Sequence, residues 1–165
     1  MFEQVAAGFD AFVRRTRDDL WRAAWLLTGD HHRADDLVQT ALGRTYGRYE
    51  SIGNDHKFEA YVRTTMYRTY ASWWRRKWNG EVPDQGADER SANPVADVNL
   101  DLIRALNALP RMQRAVLVLR FFEDRSVAEV ANLLGIAEGT VKAHTSQGCA
   151  ALRRSPHLAD DKEWS

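Results

Sequence analysis

Lys142, His144, Ser146 and Gln147, with Ala143 among them, form a run of small, polar or cationic side chains of the kind that can touch DNA bases. In a major groove Gln and Lys hydrogen-bond base edges, and Ala can meet a thymine methyl. Presenting them requires a helix whose other face is held down. Residues 125–152, RSVAEVANLLGIAEGTVKAHTSQGCAAL, supply that as a helix, a tight turn and a second helix. Ser126 and Glu129 have the spacing at which each side chain satisfies an orphan backbone N–H of a helix start. Val127, Val130, Ala131 and Leu134 form one apolar face of the first helix. Gly135 stands where a helix-ending residue takes positive φ, and Ile136 can plug the angle between the helices. In the second helix Val141, Thr145, Gly148 and Leu152 recur at helical spacing and face inward. A plain helical hairpin with a solvated outer face is the alternative. Cap, turn glycine and inward pattern agree over one continuous unit, which favours the DNA-reading arrangement.

A second chemistry-bearing stretch is residues 58–78, FEAYVRTTMYRTYASWWRRKW, in which Tyr61, Tyr67, Tyr70, Trp73, Trp74 and Trp78 alternate with Arg63, Arg68, Arg75, Arg76 and Lys77. There is no acid after Glu59. Aromatic faces stack on unpaired bases for about 1–3 kcal/mol each while cations track the backbone, so the composition suits single-stranded or opening DNA. Some of these rings must be core, and one of Trp73 and Trp74 is expected to pack inward. Residues 51–57, SIGNDHK, form an expected loop just before this helix, with polar side chains able to hold a base turned out of the duplex.

Upstream, Phe9, Phe12, Val13, Leu20, Trp21, Ala24, Trp25 and Leu27 form the apolar stripe of an expected first helix pair. Residues 28–30, TGD, break that run. A new helix is expected over residues 31–46, with Ala34, Leu37, Val38, Ala41 and Leu42 inward and Asp35 and Asp36 in its early turns, where carboxylates suit the helix dipole. Asp35, Gln39 and Arg44 remain outside, available to another protein. From these residues alone the two aspartates serve equally well as mere helix-start stabilisers.

Composition changes once along the chain, at residues 80–98, where Gly, Pro, Asp and Glu collect with few apolar residues; this reads as an acidic linker between two small all-helical domains. The 165-residue chain carries 23 basic and 23 acidic side chains, a formal net charge of zero. Phosphate contacts supply most non-specific affinity for DNA, so such a chain should bind duplex weakly unless something else holds it there. Cys149 is the single cysteine and can form no internal disulfide, which fits a reducing cytoplasm. No stretch approaches the ~20 apolar residues that span a bilayer, so membrane insertion is not expected.

Taken together, the segments at residues 26–42, LLTGDHHRADDLVQTAL, 61–83, YVRTTMYRTYASWWRRKWNGEVP, and 109–124, LPRMQRAVLVLRFFED, and the helix-turn-helix with its GTVK at residues 139–142, resemble the extracytoplasmic-function class of bacterial RNA polymerase sigma factors, in particular the actinobacterial SigE-like group. The resemblance covers nearly the whole chain. It implies a core-binding and −10-reading domain over residues 1–79, a linker over 80–98, a −35-reading domain over 99–155 and a tail over 156–165. It implies that Asp35, Asp36, Leu37 and Gln39 dock on a coiled coil of the polymerase's largest subunit. The −10 element would meet Asn54, His56, Lys57, Tyr61, Arg63, Tyr67, Arg68, Trp74, Arg75 and Arg76, with an unpaired base lodged against residues 51–57. The −35 element would meet Glu138, Gly139, Thr140, Lys142, His144, Ser146 and Gln147. It further implies a cytoplasmic chain that is monomeric when free, has no catalytic residue, metal or cofactor, and is controlled from outside by its transcription level or by an anti-sigma protein.

Arg68 and Gln147 depart from the group's pattern, which often has Asn and Arg at these places, and Gln147 trades a guanine or phosphate contact for an adenine-type one. Two other classes compete. A stand-alone helix-turn-helix repressor would dimerise on a palindromic site and leaves the N-terminal region unexplained. A metal-dependent hydrolase built on His31, His32, Asp35 and Asp36 lacks a second helix with matching ligands.

Overall fold

The computed structural model describes residues 2–78 and 100–158; the linker expected over residues 80–98 lies outside them, as do residues 159–165 of the expected tail. Every regular element among the described residues is helical. The N-terminal half is α1 (Phe2–Thr28), α2 (His31–Thr45), a 3₁₀ turn (Tyr46–Arg48), α3 (Tyr49–Ile52) and α4 (Asp55–Trp78). The C-terminal half is α5 (Leu100–Asn107), α6 (Arg111–Leu117), a π-helical turn (Val118–Phe122), α7 (Val127–Leu134) and α8 (Glu138–Arg153).

The expected first helix pair is instead one 27-residue helix. The polar stretch between Val13 and Leu20 keeps the buried face continuous through Thr16, contains no Gly or Pro, and its Arg and Asp side chains leave a helix intact. The chain turns only after Thr28. Asp30 caps α2 by accepting from the backbone N–H of His32 at 2.8 Å and of Arg33 at 3.3 Å, so the predicted break and restart fall where the sequence placed them.

Three helices make the N-terminal core. Phe12, Leu20 and Leu27 of α1, Leu37 and Ala41 of α2, and Phe58, Val62 and Met66 of α4 lose essentially all exposure. Each large side chain so buried contributes about 1.5–3 kcal/mol relative to exposure. At one end Phe12 and Phe58 meet edge to face, with ring centroids 4.9 Å apart. The Asp55 carboxylate there, at the first residue of α4, accepts from Tyr49 and pairs with Arg15, tying the start of α4 to α3 and α1.

The two halves are packed together. Buried side chains of the C-terminal half, among them Val116, Leu119, Val130 and Leu134, join those of α1, α2 and α4 in one continuous hydrophobic cluster. Close approach at the junction is permitted by Gly29, whose φ of +68° is left-handed and whose missing Cβ would collide with Asn107 and stand 2.8 Å from Arg114 Nη1. Arg114 itself is buried and donates to Asn107 at 3.0 Å.

Candidate nucleic-acid interface

The reading helix is seated by its own local chemistry. Ser126 Oγ accepts from Glu129 N at 3.1 Å, and Glu129 Oε1 accepts from Ser126 N at 3.0 Å, a reciprocal cap that starts α7. These bonds hold the Glu129 carboxyl below the usual carboxylate range; the backbone N–H of Ser126 is the largest cause. Gly135 ends α7 at φ +70°, as its position in the sequence required. α8 then starts at Glu138. Val141 and Gly148 are buried, and Gly148 allows Leu117 of α6 to approach so closely that a Cβ would lie 2.8 Å from Leu117 Cδ1.

Glu138, Gly139, Thr140, Lys142, Ala143, Ser146 and Gln147 form an exposed face of α8, as expected. His144 is half-buried, with Nδ1 enclosed and without a partner, so it presents only part of its ring. Gln147 is not wholly free: its side-chain oxygen accepts from Gln113 Nε2 at 3.3 Å.

The aromatic and basic residues of α4 divide into two groups. Near its start, His56, Lys57 and Tyr61 are exposed, with Tyr61 retaining 38% of its surface. The expected loop over residues 51–57 reduces to a turn at Gly53 and Asn54, because Ser51 and Ile52 remain in α3 and Asp55 already opens α4. Asn54 accepts from Lys57 N at 3.0 Å, closing that turn as a cap.

Further along, α4 faces the C-terminal half. Arg63 donates to Glu59 at 3.1 Å and to Glu123 at 2.7 Å. Burial alone would ease the proton off Arg63, but Glu123 and Glu59 together hold its guanidinium above the ordinary range. Burial pushes the Glu123 carboxyl up against the pull of Arg63. Arg68 donates to Asn132 Oδ1 at 3.1 Å, and Arg75 to the Leu134 carbonyl at 3.4 Å. Tyr67 corrects an expectation: it has no exposed surface, and the Arg125 guanidinium lies 5.5 Å from its ring centroid, so in this arrangement it cannot stack on a base. Trp73 and Trp74 are both half-buried; Trp73 packs against the hydrophobic core, as expected of one of the pair, and with Tyr70, Arg33, Arg111 and Arg114 the two line a cavity of about 200 Å³ between the halves. Arg76 is exposed.

On α2, Asp35, Asp36 and Gln39 are all exposed, as expected, and Asp35 also accepts from the indole N–H of Trp21 at 2.7 Å. Leu37 is a second correction. It has no exposed surface and fills the core beneath the helix, so it supports the Asp36 face from inside and cannot itself meet a protein partner. Its place on the apolar stripe with Ala34, Val38 and Ala41 had already indicated this. Glu123, Asn132 and Arg125 are the participants that sequence reasoning missed. They meet α4 across about sixty positions of chain, a separation no local pattern reports.

Comparison with known proteins agrees with this geometry. Residues 12–80 match the pattern of sigma-70 region 2, and residues 99–152 that of sigma-70, region 4. The RNA polymerase sigma-E factor of Streptomyces coelicolor is 39% identical over 148 residues, covering 88% of this chain and 84% of that protein. The ECF RNA polymerase sigma factor SigL of Mycobacterium tuberculosis is 32% identical over 161 residues, 90% of this chain and 91% of that one. Among solved structures, the sigma factor RpoE of Bartonella quintana, crystallised with the anti-sigma factor NepR, shares the fold with a TM-score of 0.65 at 24% identity, over 94% of this chain and 99% of that chain. No helix among the described residues is long and apolar enough to cross a membrane.

Proposed function

The chain belongs to the extracytoplasmic-function RNA polymerase sigma factors of the sigma-70 family, DNA-binding factors of transcription initiation, and from that premise we propose how its surfaces divide the work. Residues 1–79 bind core polymerase and read and help melt the −10 element; residues 99–155 read the −35 element; residues 80–98 tether the two. The exposed face of α2 docks through Asp35, Asp36 and Gln39 on the coiled coil of the largest polymerase subunit, with the buried Leu37 fixing the helix that carries them. The exposed start of α4, with Asn54, His56, Lys57 and Tyr61, receives an unpaired non-template base, and Arg63, Arg68, Trp74, Arg75 and Arg76 follow the strand. Lys142, Ser146 and Gln147 read base edges at −35, while Glu138, Gly139 and Thr140 bring the start of α8 to the groove.

The observation that carries this reading is the presence in one chain of a helix-turn-helix with an open polar face and a separate helix with an exposed aromatic and basic end. Two weak DNA contacts become one selective complex only when a scaffold fixes their separation, and the polymerase is that scaffold. Zero net charge is consistent with a factor that leaves general DNA affinity to its partner. The chain acts by binding and strand separation and makes or breaks no covalent bond. It works in the cytoplasm as a monomer when free, and an anti-sigma protein is the expected external control.

Paired variants test the division of labour. Asp36→Arg should abolish capture by core polymerase while leaving the helical circular-dichroism spectrum unchanged. Lys142→Ala should leave polymerase capture intact and lower discrimination among −35 sequences by roughly tenfold, in line with about 1–3 kcal/mol per good base contact. Equal loss of polymerase binding from both substitutions would sink the assignment.

A further inference from the structure

The cavity of about 200 Å³ bordered by α2, α4 and α6 has no part in the polymerase and DNA contacts proposed above. Two of its lining residues are polar, deeply buried and short of a partner. Arg114 of α6 is 5% exposed; its Nη1 donates to Asn107 at 3.0 Å, while its Nε has no hydrogen-bond partner among the described residues. Tyr70 of α4 is 7% exposed, and its hydroxyl is likewise without a partner among them. A buried guanidinium with an unused N–H is costly, because burial removes the water that would have satisfied it. Both groups can donate, so what they lack is an acceptor inside the cavity. Guanidinium groups bind the oxygens of phosphates and carboxylates more strongly than neutral acceptors.

The charge at the walls favours the same ligand. Arg33 and Arg111 join Arg114 in the lining, against the one lining carboxylate, that of Asp36, which is exposed and screened by water. Arg33 is shared with Asp30, whose carboxylate lies 4.0 Å from its Nε, so Arg114 is the anchor. Much of the remaining lining is aromatic. Tyr70, Trp73 and Trp74 offer ring faces on which a planar group can stack. A water molecule could satisfy the two donors, but it would use neither the rings nor the excess positive charge. The volume is small beside the roughly 300–1,000 Å³ of pockets for drug-sized ligands, so the cavity suits one ring and one anionic group.

We propose that this cavity is a binding site for a small aromatic anion, an aryl phosphate or aryl carboxylate. Its oxyanion accepts from Arg114 Nε and the Tyr70 hydroxyl, and its ring lies against Trp73 and Trp74. The ligand touches α4 on one side and α6 on the other, so its binding adds to the stability of the folded chain. Neither Arg114 nor Tyr70 takes part in the polymerase and DNA contacts proposed above, and the two readings stand or fall separately.

Calorimetric titration of the full chain tests this, with phenyl phosphate, benzoate, inorganic phosphate and benzyl alcohol as probes. Phenyl phosphate or benzoate should bind saturably, roughly tenfold or more tighter than inorganic phosphate or the neutral alcohol, and the tighter of the two identifies the oxyanion. That probe should also raise the urea midpoint as its concentration increases. Tyr70→Phe removes one hydroxyl and should weaken binding about tenfold. Arg114→Lys keeps the charge but loses the planar fork, and should weaken it further. Arg17→Gln, which removes an exposed cation of α1, should change nothing. If Arg114→Lys fails to fold by circular dichroism, Tyr70→Phe still decides. No saturable binding of either aryl anion would overturn the proposal, as would an affinity for them that Tyr70→Phe leaves unchanged. Inorganic phosphate binding as tightly as phenyl phosphate would mean an adventitious ion only, and benzyl alcohol binding as tightly would mean an apolar hole; either result also overturns it.

Discussion

Gly148→Val should loosen α8 without unfolding the N-terminal half. Built onto the backbone, a Cβ at position 148 lies 2.8 Å from Leu117 Cδ1 and 3.1 Å from Leu117 Cγ, and Leu117 is 1% exposed, so it has little space into which to turn. Valine gains roughly 0.3 kcal/mol over glycine in helix propensity. Overpacking a full core costs about 1–3 kcal/mol, so the net loss should be about 0.7–2.7 kcal/mol. Leu117→Ala alone should cost about 2–5 kcal/mol by leaving a cavity. In the double variant the valine methyls enter that cavity, and the combined loss should fall short of the sum by about 1 kcal/mol or more, the size expected for residues in direct contact. Urea unfolding followed by circular dichroism gives the three differences, and −35 duplex binding should weaken in Gly148→Val while core-polymerase capture holds. Strict additivity, or a Gly148→Val chain more stable than the original, would refute the claim that this glycine exists to bring α8 onto α6.

Ser126→Ala removes one side of the reciprocal cap on α7 and should cost about 1 kcal/mol, read as a lower urea midpoint. The lowered Glu129 carboxyl gives the same cap a pH dependence: because the folded value lies below the ordinary one, its contribution is full above the ordinary carboxylate range and fades as pH falls through the lowered value. The acid-induced loss of stability should therefore be smaller in Glu129→Gln than in the unmodified chain. Gly29→Ala forces a left-handed alanine, about 1–2 kcal/mol, and places its methyl against Asn107. It should lower stability, read as a lower urea midpoint; an unchanged midpoint would show that the halves do not meet there.

Local chemistry made much of this fold legible. The Ser126 and Glu129 cap, the left-handed Gly135, the break at residues 28–30 and the inward set Val141 and Gly148 each follow from interactions within a few residues. α1 runs unbroken where a helix pair was expected, because residues 14–19 contain no Pro or Gly and Thr16 carries the buried face from Phe12 to Leu20. Leu37 shows the periodicity to be the better guide: the apolar stripe put it inside, the resemblance put it at an interface, and it is inside. Tyr67 is different. Nothing near it in sequence distinguishes it from the exposed Tyr61; what covers it is Arg125, brought over by the packing of the halves. The same long-range packing turns Arg63, Arg68 and Arg75 from free cations into partners of Glu123, Asn132 and Leu134.

The most direct test of the account is transcription in vitro: the purified chain added to bacterial core polymerase on a library of genomic fragments, with the dependent transcripts sequenced. The account predicts starts preceded by two sequence motifs at a fixed spacing, lost together with Asp36→Arg and blurred at the upstream motif by Lys142→Ala. No dependent transcript, together with retention of palindromic duplexes by a dimer of the chain alone, would contradict it.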